Sequence, residues 1–214
     1  MSFLAKIRVV NDTYFNKPFI PAGYEQTKSF NGLIPKQLIR DSKYIIVGTL
    51  TPPKGRNAGF FYSAPKNHMF EFIDNAFKSR DPYSLVDLKN ALNNPNRARS
   101  KQDIINDIMY VMRVREICFI DVVDEAIASS SKYQDEYISR YSLDSNSFSN
   151  INIHNPNIKI VANSNNAKVR LDEIFNKIGI SGIKINMIPQ TWRGRNNSFK
   201  SKKRLQTGWD NFFN

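Results

Sequence analysis

"KYIIVGTL", Lys43 to Leu50, is a short apolar run that ends in Gly48 and passes at once into a proline-marked loop. Ile45, Ile46 and Val47 leave no polar position at its centre, which predicts a strand covered on both faces, as in a parallel sheet. Three further runs share this character: "EICFIDVV" from Glu116 to Val123, "IKIVAN" from Ile158 to Asn163, and "IKINMIP" from Ile183 to Pro189. Between them, apolar residues recur at helical spacing. Asn67 to Lys78 places Met69 or Phe70, Ile73 and Phe77 on one face. Ser100 to Val114 opens on a Ser cap and carries Ile104, Ile105, Ile108, Met109 and Met112, and Asn165 to Ile178 repeats the pattern with Val169, Leu171, Ile174 and Phe175. Alternating strands and helices predict an α/β fold, a three-layer α/β/α sandwich around a central, mostly parallel four-stranded sheet.

The remaining segments are less regular. Asn90 to Arg99 and the Asn/Ser-rich Ser142 to Asn157 read as surface loops, and Asp124 and Glu125 as a solvated helix start. "KPFIPAGYEQ" suggests that residues 1–40 form an extended wrap on a core spanning residues 41–214, the whole being one domain. A chain of 214 residues supports one core of ordinary size.

Composition narrows the function. Thirty-one Lys and Arg against nineteen Asp and Glu give a net charge of +12, and the sequence pI is near 9.8. That excess points to a polyanionic partner such as nucleic acid. Arg193, Arg195, Lys200, Lys202, Lys203 and Arg204 crowd one stretch near the C-terminus, with Trp192 and Phe199 interleaved. The single cysteine, Cys118, lies inside an apolar run, so a disulfide framework or a cysteine-based metal site within one chain is excluded and a core thiol is expected. With no run of membrane-spanning length and no long apolar leader region in "MSFLAKIRVV", a soluble cytoplasmic protein is expected; a monomer with neither metal nor cofactor is a separate expectation.

In parallel sheets ligands bind beyond the carboxyl ends of the strands, so the loops after the strands carry the chemistry. The loop "GTLTPPKGRNAGFFYSAPKN", Gly48 to Asn67, has neither the P-loop ending nor a GxGxxG fingerprint. It offers backbone stiffened by Pro52, Pro53 and Pro65, the triplet Phe60-Phe61-Tyr62, and the amide of Asn67 at a helix start. An aromatic face beside an amide suits a flat nucleobase. Phe60 and Phe61 read as core. Asp121, at the end of "CFID", is the acidic residue expected at the sheet's carboxyl edge, either in the site or as a buried carboxylate bonded to a loop. His68 and His154 have no partner at an informative spacing. Trp209 reads as core and Trp192 as exposed.

"IIVGTLTPP...GFFYSAPKNHMFEFI" resembles the first active-site motif of the uracil-DNA glycosylase superfamily, closest to its mismatch-specific and hypoxanthine-type branches. "MIPQTWRGRNNSFKSKKRLQTGW" is similar to the later motif that enters DNA. The resemblance covers most of the chain from Tyr44 to Trp209. It implies that Tyr62 stacks on a flipped base, that Asn67 takes part in catalysis, and that Gly48 allows the strand end to approach the deoxyribose; Thr51 and Asp121, read from their own chemistry, are the further candidates for placing the water and supporting the leaving group. Asn163 and Ser164, at the end of the third strand, stand where many members read the base. Gln190, Thr191, Trp192, Arg193, Arg195, Lys200, Lys202 and Lys203 fall in the DNA-gripping region. Two departures stand out. Thr51 occupies the place where many members carry Asp or Asn before the motif's proline, and no His-Pro-Ser sequence surrounds Pro189. A hydroxyl holds a water but is not its base at neutral pH.

The expected activity is therefore that of a monofunctional DNA glycosylase that flips out a damaged or modified base and hydrolyses its N-glycosidic bond. Uracil and hypoxanthine follow from the family, and a hypermodified phage cytosine from the altered pocket wall, in which case the role is phage defence rather than repair. The alternatives are a DNA-binding protein of the same fold without catalysis, and a nucleotide or nucleoside hydrolase that uses the same sheet edge.

Overall fold

A computed structural model describes residue 20 and residues 22–51, 57–94, 98–129, 138–189 and 201–214. Its centre is the expected parallel sheet. Strands β2 (Tyr44–Gly48), β3 (Ile117–Asp121), β6 (Lys159–Ala162) and β7 (Ile185–Met187) run parallel in the order β3-β2-β6-β7. Every residue of β2 and β3 is buried, which is why their sequences show no polar alternation.

The register divides the two faces. Tyr44, Ile46 and Gly48 pair with Ile117, Phe119 and Asp121. On this face lie helices α2 (Met69–Phe77) and α7 (Lys202–Phe213), which pack on each other. Tyr44 anchors α7: its hydroxyl donates to Phe213 O at 2.7 Å, and its ring meets Phe213 edge-on at 5.1 Å. On the opposite face helix α6 (Asn165–Lys177) packs across β2, β6 and β7, burying Ala167, Arg170, Leu171, Ile174 and Phe175. Helix α4 (Lys101–Val114) starts at Ser100, whose hydroxyl accepts from Asp103 N, and it packs on β3.

Four expectations are corrected. Residues 1–40 are not only a wrap: β1 (Tyr24–Lys28) pairs antiparallel with β4 (Val123–Ser129), which pairs with β5 (Ile138–Leu143) in a second sheet. Helix α1 (Lys36–Asp41) then leads into β2. Asp124 and Glu125 therefore belong to a strand, not a helix start; with only one hairpin's worth of polar alternation, "VDEAIAS" reads ambiguously without its partners. The supposed loop at Asn90–Arg99 begins inside helix α3 (Leu85–Asn93), capped by Ser84 accepting from Asp87 N. The segment from Ser142 holds the end of β5 and one helical turn, α5 (Ser145–Phe148). As expected, Phe60, Phe61, Cys118 and Trp209 are core, each at most 1% exposed. Burial pushes the Cys118 thiol well above its ordinary range, which leaves it unreactive.

Candidate active site at the carboxyl edge of the sheet

Consecutive parallel strands leave β2 in opposite directions, to β3 on one side and β6 on the other, so the sheet's switch point opens at their carboxyl ends. Three polar side chains from this edge converge on Gly48. A Cβ at that glycine would stand 2.4 Å from Asp121 Oδ1, 3.0 Å from the Tyr62 hydroxyl and 3.5 Å from Asn163 Nδ2. The missing side chain is thus the room in which the three meet, and it explains why the strand ends in glycine.

Asp121 is 3% exposed, and its carboxylate turns back onto the loop after β2. Thr51 gives Oδ2 both its backbone N–H, at 2.8 Å, and its hydroxyl, at 2.9 Å. The backbone of Asp121 is held just as firmly. Asn31, in a 3-10 turn at Asn31–Leu33, accepts from Asp121 N at 2.8 Å and donates to Asp121 O at 2.7 Å. The same Asn31 amide nitrogen donates to Asp144 Oδ2 at 2.6 Å.

Tyr62 closes the cluster from the other side. Asn163 Nδ2 donates to its hydroxyl at 2.9 Å, and its ring, 8% exposed, rests edge-on against Phe119 at 5.0 Å. Burial, reinforced by the Asp121 charge and opposed by the Asn163 bond, holds the phenol well above its ordinary pKa of 10.0, so it stays protonated. Its backbone is left-handed, at φ 53°, a conformation that costs a non-glycine residue on the order of 1 kcal/mol. Neighbouring bonds hold the turn: Ser63 Oγ donates to Phe60 O, and Asn93 Nδ2 donates to Ser63 O at 2.7 Å.

Asn67 stands at the far end of the same loop. Its Oδ1 accepts from Met69 N at 2.8 Å, opening α2 and fixing which way the amide faces. Its carbonyl accepts from Lys89 Nζ at 2.8 Å. Lys89 is only 7% exposed, and that burial lowers its pKa, with Glu71 and Asp74 acting the other way. Helix α3, which carries both Lys89 and Asn93, thereby clamps the whole turn from Tyr62 to Asn67. Ser164, the cap of α6, meets Thr49 across the opposite face at 3.1 Å.

The structure thus brings Gly48, Thr51, Tyr62, Asp121 and Asn163 into one cluster, with Asn67 and Ser164 on its flanks. Pro52, Pro53, Gln190, Thr191, Trp192, Arg193, Arg195 and Lys200 lie outside the described residues. Lys202 and Lys203 open α7, exposed, with Lys202 paired to Glu71 in the first turn of α2. Pro189 follows β7, and Ser201, the cap of α7, precedes the Lys202 that pairs with Glu71. His68, read as partnerless, meets Glu71 through Nδ1 at 3.0 Å, an i,i+3 contact. The sequence reading missed Asn31 and Lys89. Asn31 has no local signal, being 90 residues from Asp121. Lys89 had one, a cation on the apolar stripe Leu85, Lys89, Leu92.

Among the described residues no group of three or more His, Cys, Asp or Glu could hold a metal ion, and no helix is long and apolar enough to cross a membrane. No protein-family model matches the chain, and no curated protein does. Among solved structures it is similar to a solution NMR structure from Methanosarcina acetivorans described as a "putative Uracil DNA glycosylase". Identity is 16%, coverage 81% of this chain and 90% of that one, and the TM-score 0.49.

Proposed function

We propose that this chain is a monofunctional DNA glycosylase, hydrolysing the N-glycosidic bond of a damaged or modified base extruded into the site around Gly48. The observation that carries the reading is the carboxylate of Asp121 seated on Thr51. The first motif has no acid before its proline, and the neighbouring strand delivers one to the same place.

The chemistry follows from that placement. The C1′–N bond breaks with its electron pair leaving on the base, and positive charge develops on the deoxyribose. An acceptor carboxylate in a buried site stabilises that charge far better than water does. The Thr51 hydroxyl donates to Asp121 and, in this reading, accepts from the attacking water. That water adds its oxygen to C1′, its proton passes to the Asp121 carboxylate and on to solvent, the departed base anion takes up a proton from solvent, and an abasic site remains. Gly48 makes room for the Asp121 carboxylate, Tyr62 supplies the aromatic wall, Asn163 and Ser164 border the base, and Asn67 supports the leaving group or the water.

A net charge of +12 and the cationic run from Arg193 to Arg204 in the sequence support DNA as the partner, gripped by Gln190 to Arg195, Lys200, Lys202 and Lys203. The base is uracil, hypoxanthine or a hypermodified cytosine, and the last of these would make the enzyme one of phage defence.

The test is to incubate the protein with duplexes and single strands that contain uracil, hypoxanthine, mismatched bases or modified cytosine. Free base is then measured by mass spectrometry for wild type and Asn67→Ala. Release by wild type and its loss in the variant support the reading. DNA binding without release from any substrate favours the non-catalytic DNA-binding protein, and release from free nucleosides alone favours the nucleoside hydrolase.

A further inference from the structure

Asp121 closes β3, and β3 is an outer strand of the parallel sheet. Its neighbours bond inward: Val122 N donates to Gly48 O, toward β2. The N–H and C=O of Asp121 itself therefore face outward, where a further strand would stand and where none is paired among the described residues. One side chain takes that place. Asn31 receives the N–H and supplies the donor for the C=O, reproducing with a single amide the two-point contact that a neighbouring strand makes.

The amide can sit only one way round. Its nitrogen faces two groups that accept only, the Asp121 carbonyl and the Asp144 carboxylate, and its oxygen faces an N–H. Asp144 is itself fixed, with its other oxygen accepting from Ser147 N at 2.8 Å as the cap of α5. Asn31 is 4% exposed and Asp144 8% exposed, so no water competes freely for these bonds. The chain of contacts runs from α5 through Asp144 and Asn31 to the backbone of Asp121, and from its carboxylate to Thr51.

We infer that Asn31 is a positioning residue for the reaction, holding the Asp121 backbone so that its carboxylate lies over Gly48 and on Thr51. This rests on the glycosylase reading, and it assigns a role to a residue outside both motifs. The prediction is that Asn31 acts through Asp121 and not beside it.

The test uses full-length protein and the DNA that wild type cleaves best, in single-turnover base release. Asn31→Ala is expected to slow release by about tenfold or more while leaving KM for DNA within about twofold. In an Asp121→Asn background the same substitution should change the residual rate by less than about twofold, because the group it serves is gone. An equal loss in both backgrounds, or no loss in either, overturns the inference. Thr51 amide hydrogen exchange gives a readout independent of activity: Asn31→Ala and Asp121→Ala should both accelerate it, and unchanged exchange in Asn31→Ala overturns the inference. If Asn31→Ala does not fold, Asn31→Ser, which keeps a polar group of shorter reach, serves in both measurements with the same expectations. If wild type releases no base, the glycosylase reading fails and this inference fails with it. If wild type releases base and Asn31→Ala releases it as fast, only the inference fails.

Discussion

Gly48 carries a requirement that no other residue type meets. A Cβ placed 2.4 Å from Asp121 Oδ1 must displace either the carboxylate or the loop, so Gly48→Ala is expected to cost about 1–3 kcal/mol in denaturant unfolding and to abolish base release. Tyr62→Phe makes the complementary change, deleting the hydroxyl that accepts from Asn163. It should slow release while keeping the aromatic wall; unaltered kinetics would assign Tyr62 to packing alone. The sequence pointed to each of these residues separately. It could not show that Asp121 and Thr51 form one unit, because 70 residues separate them and only strand pairing makes them neighbours. On the proposed reading, the acid absent before Pro52 is supplied by Asp121 from the next strand.

Among the elements, the four parallel strands and helices α2, α4 and α6 were legible because long apolar periodicities are set by burial on both faces. The second sheet and α3 were not. β1 and β4 are mutually stabilised across a register no local pattern reveals, and the stripe of α3 is interrupted by Lys89. That interruption marks the helix's task, holding the Asn67 carbonyl. Lys89→Met keeps the bulk and removes the donor, so it should cost about 1–3 kcal/mol and slow base release. The junction beneath it depends on Arg115, 2% exposed, which bonds both oxygens of Asp81, with Asp74 at 2.7 Å and Tyr83 O at 2.7 Å. Asp74 in turn accepts from Leu85 N and Val86 N at the start of α3. Breaking such a buried pair leaves charge unpaired, and Arg115→Met should lose about 3–5 kcal/mol at neutral pH. The Arg115 bonds hold the Asp81 carboxyl below its ordinary 3.8. Its contribution is therefore complete above about pH 4 and lost as pH falls through the lower folded value, so the gap between wild type and Arg115→Met should narrow below about pH 4. A gap constant down to pH 2 would contradict that account.

At the scale of the whole molecule, charge and sheet topology converge. The site opens where the sheet's connections diverge, and Lys202 at the start of α7 pairs with Glu71 at the start of α2. Binding to DNA should weaken steeply with salt, and Lys203→Ala, at an exposed position on α7, should lower the slope of log K against log salt by about 1. An unchanged slope would remove Lys203 from the interface. The central claim remains chemical: the Asp121 carboxylate, supplied to Thr51 by the neighbouring strand, drives departure of the base. The most direct measurement is mass spectrometry of free base from defined DNA, comparing wild type with Asp121→Asn at matched DNA occupancy. The account predicts release by wild type and a rate at least about 100-fold lower in the variant. Release by Asp121→Asn at the wild-type rate, or none by wild type from any of these DNAs, would contradict it.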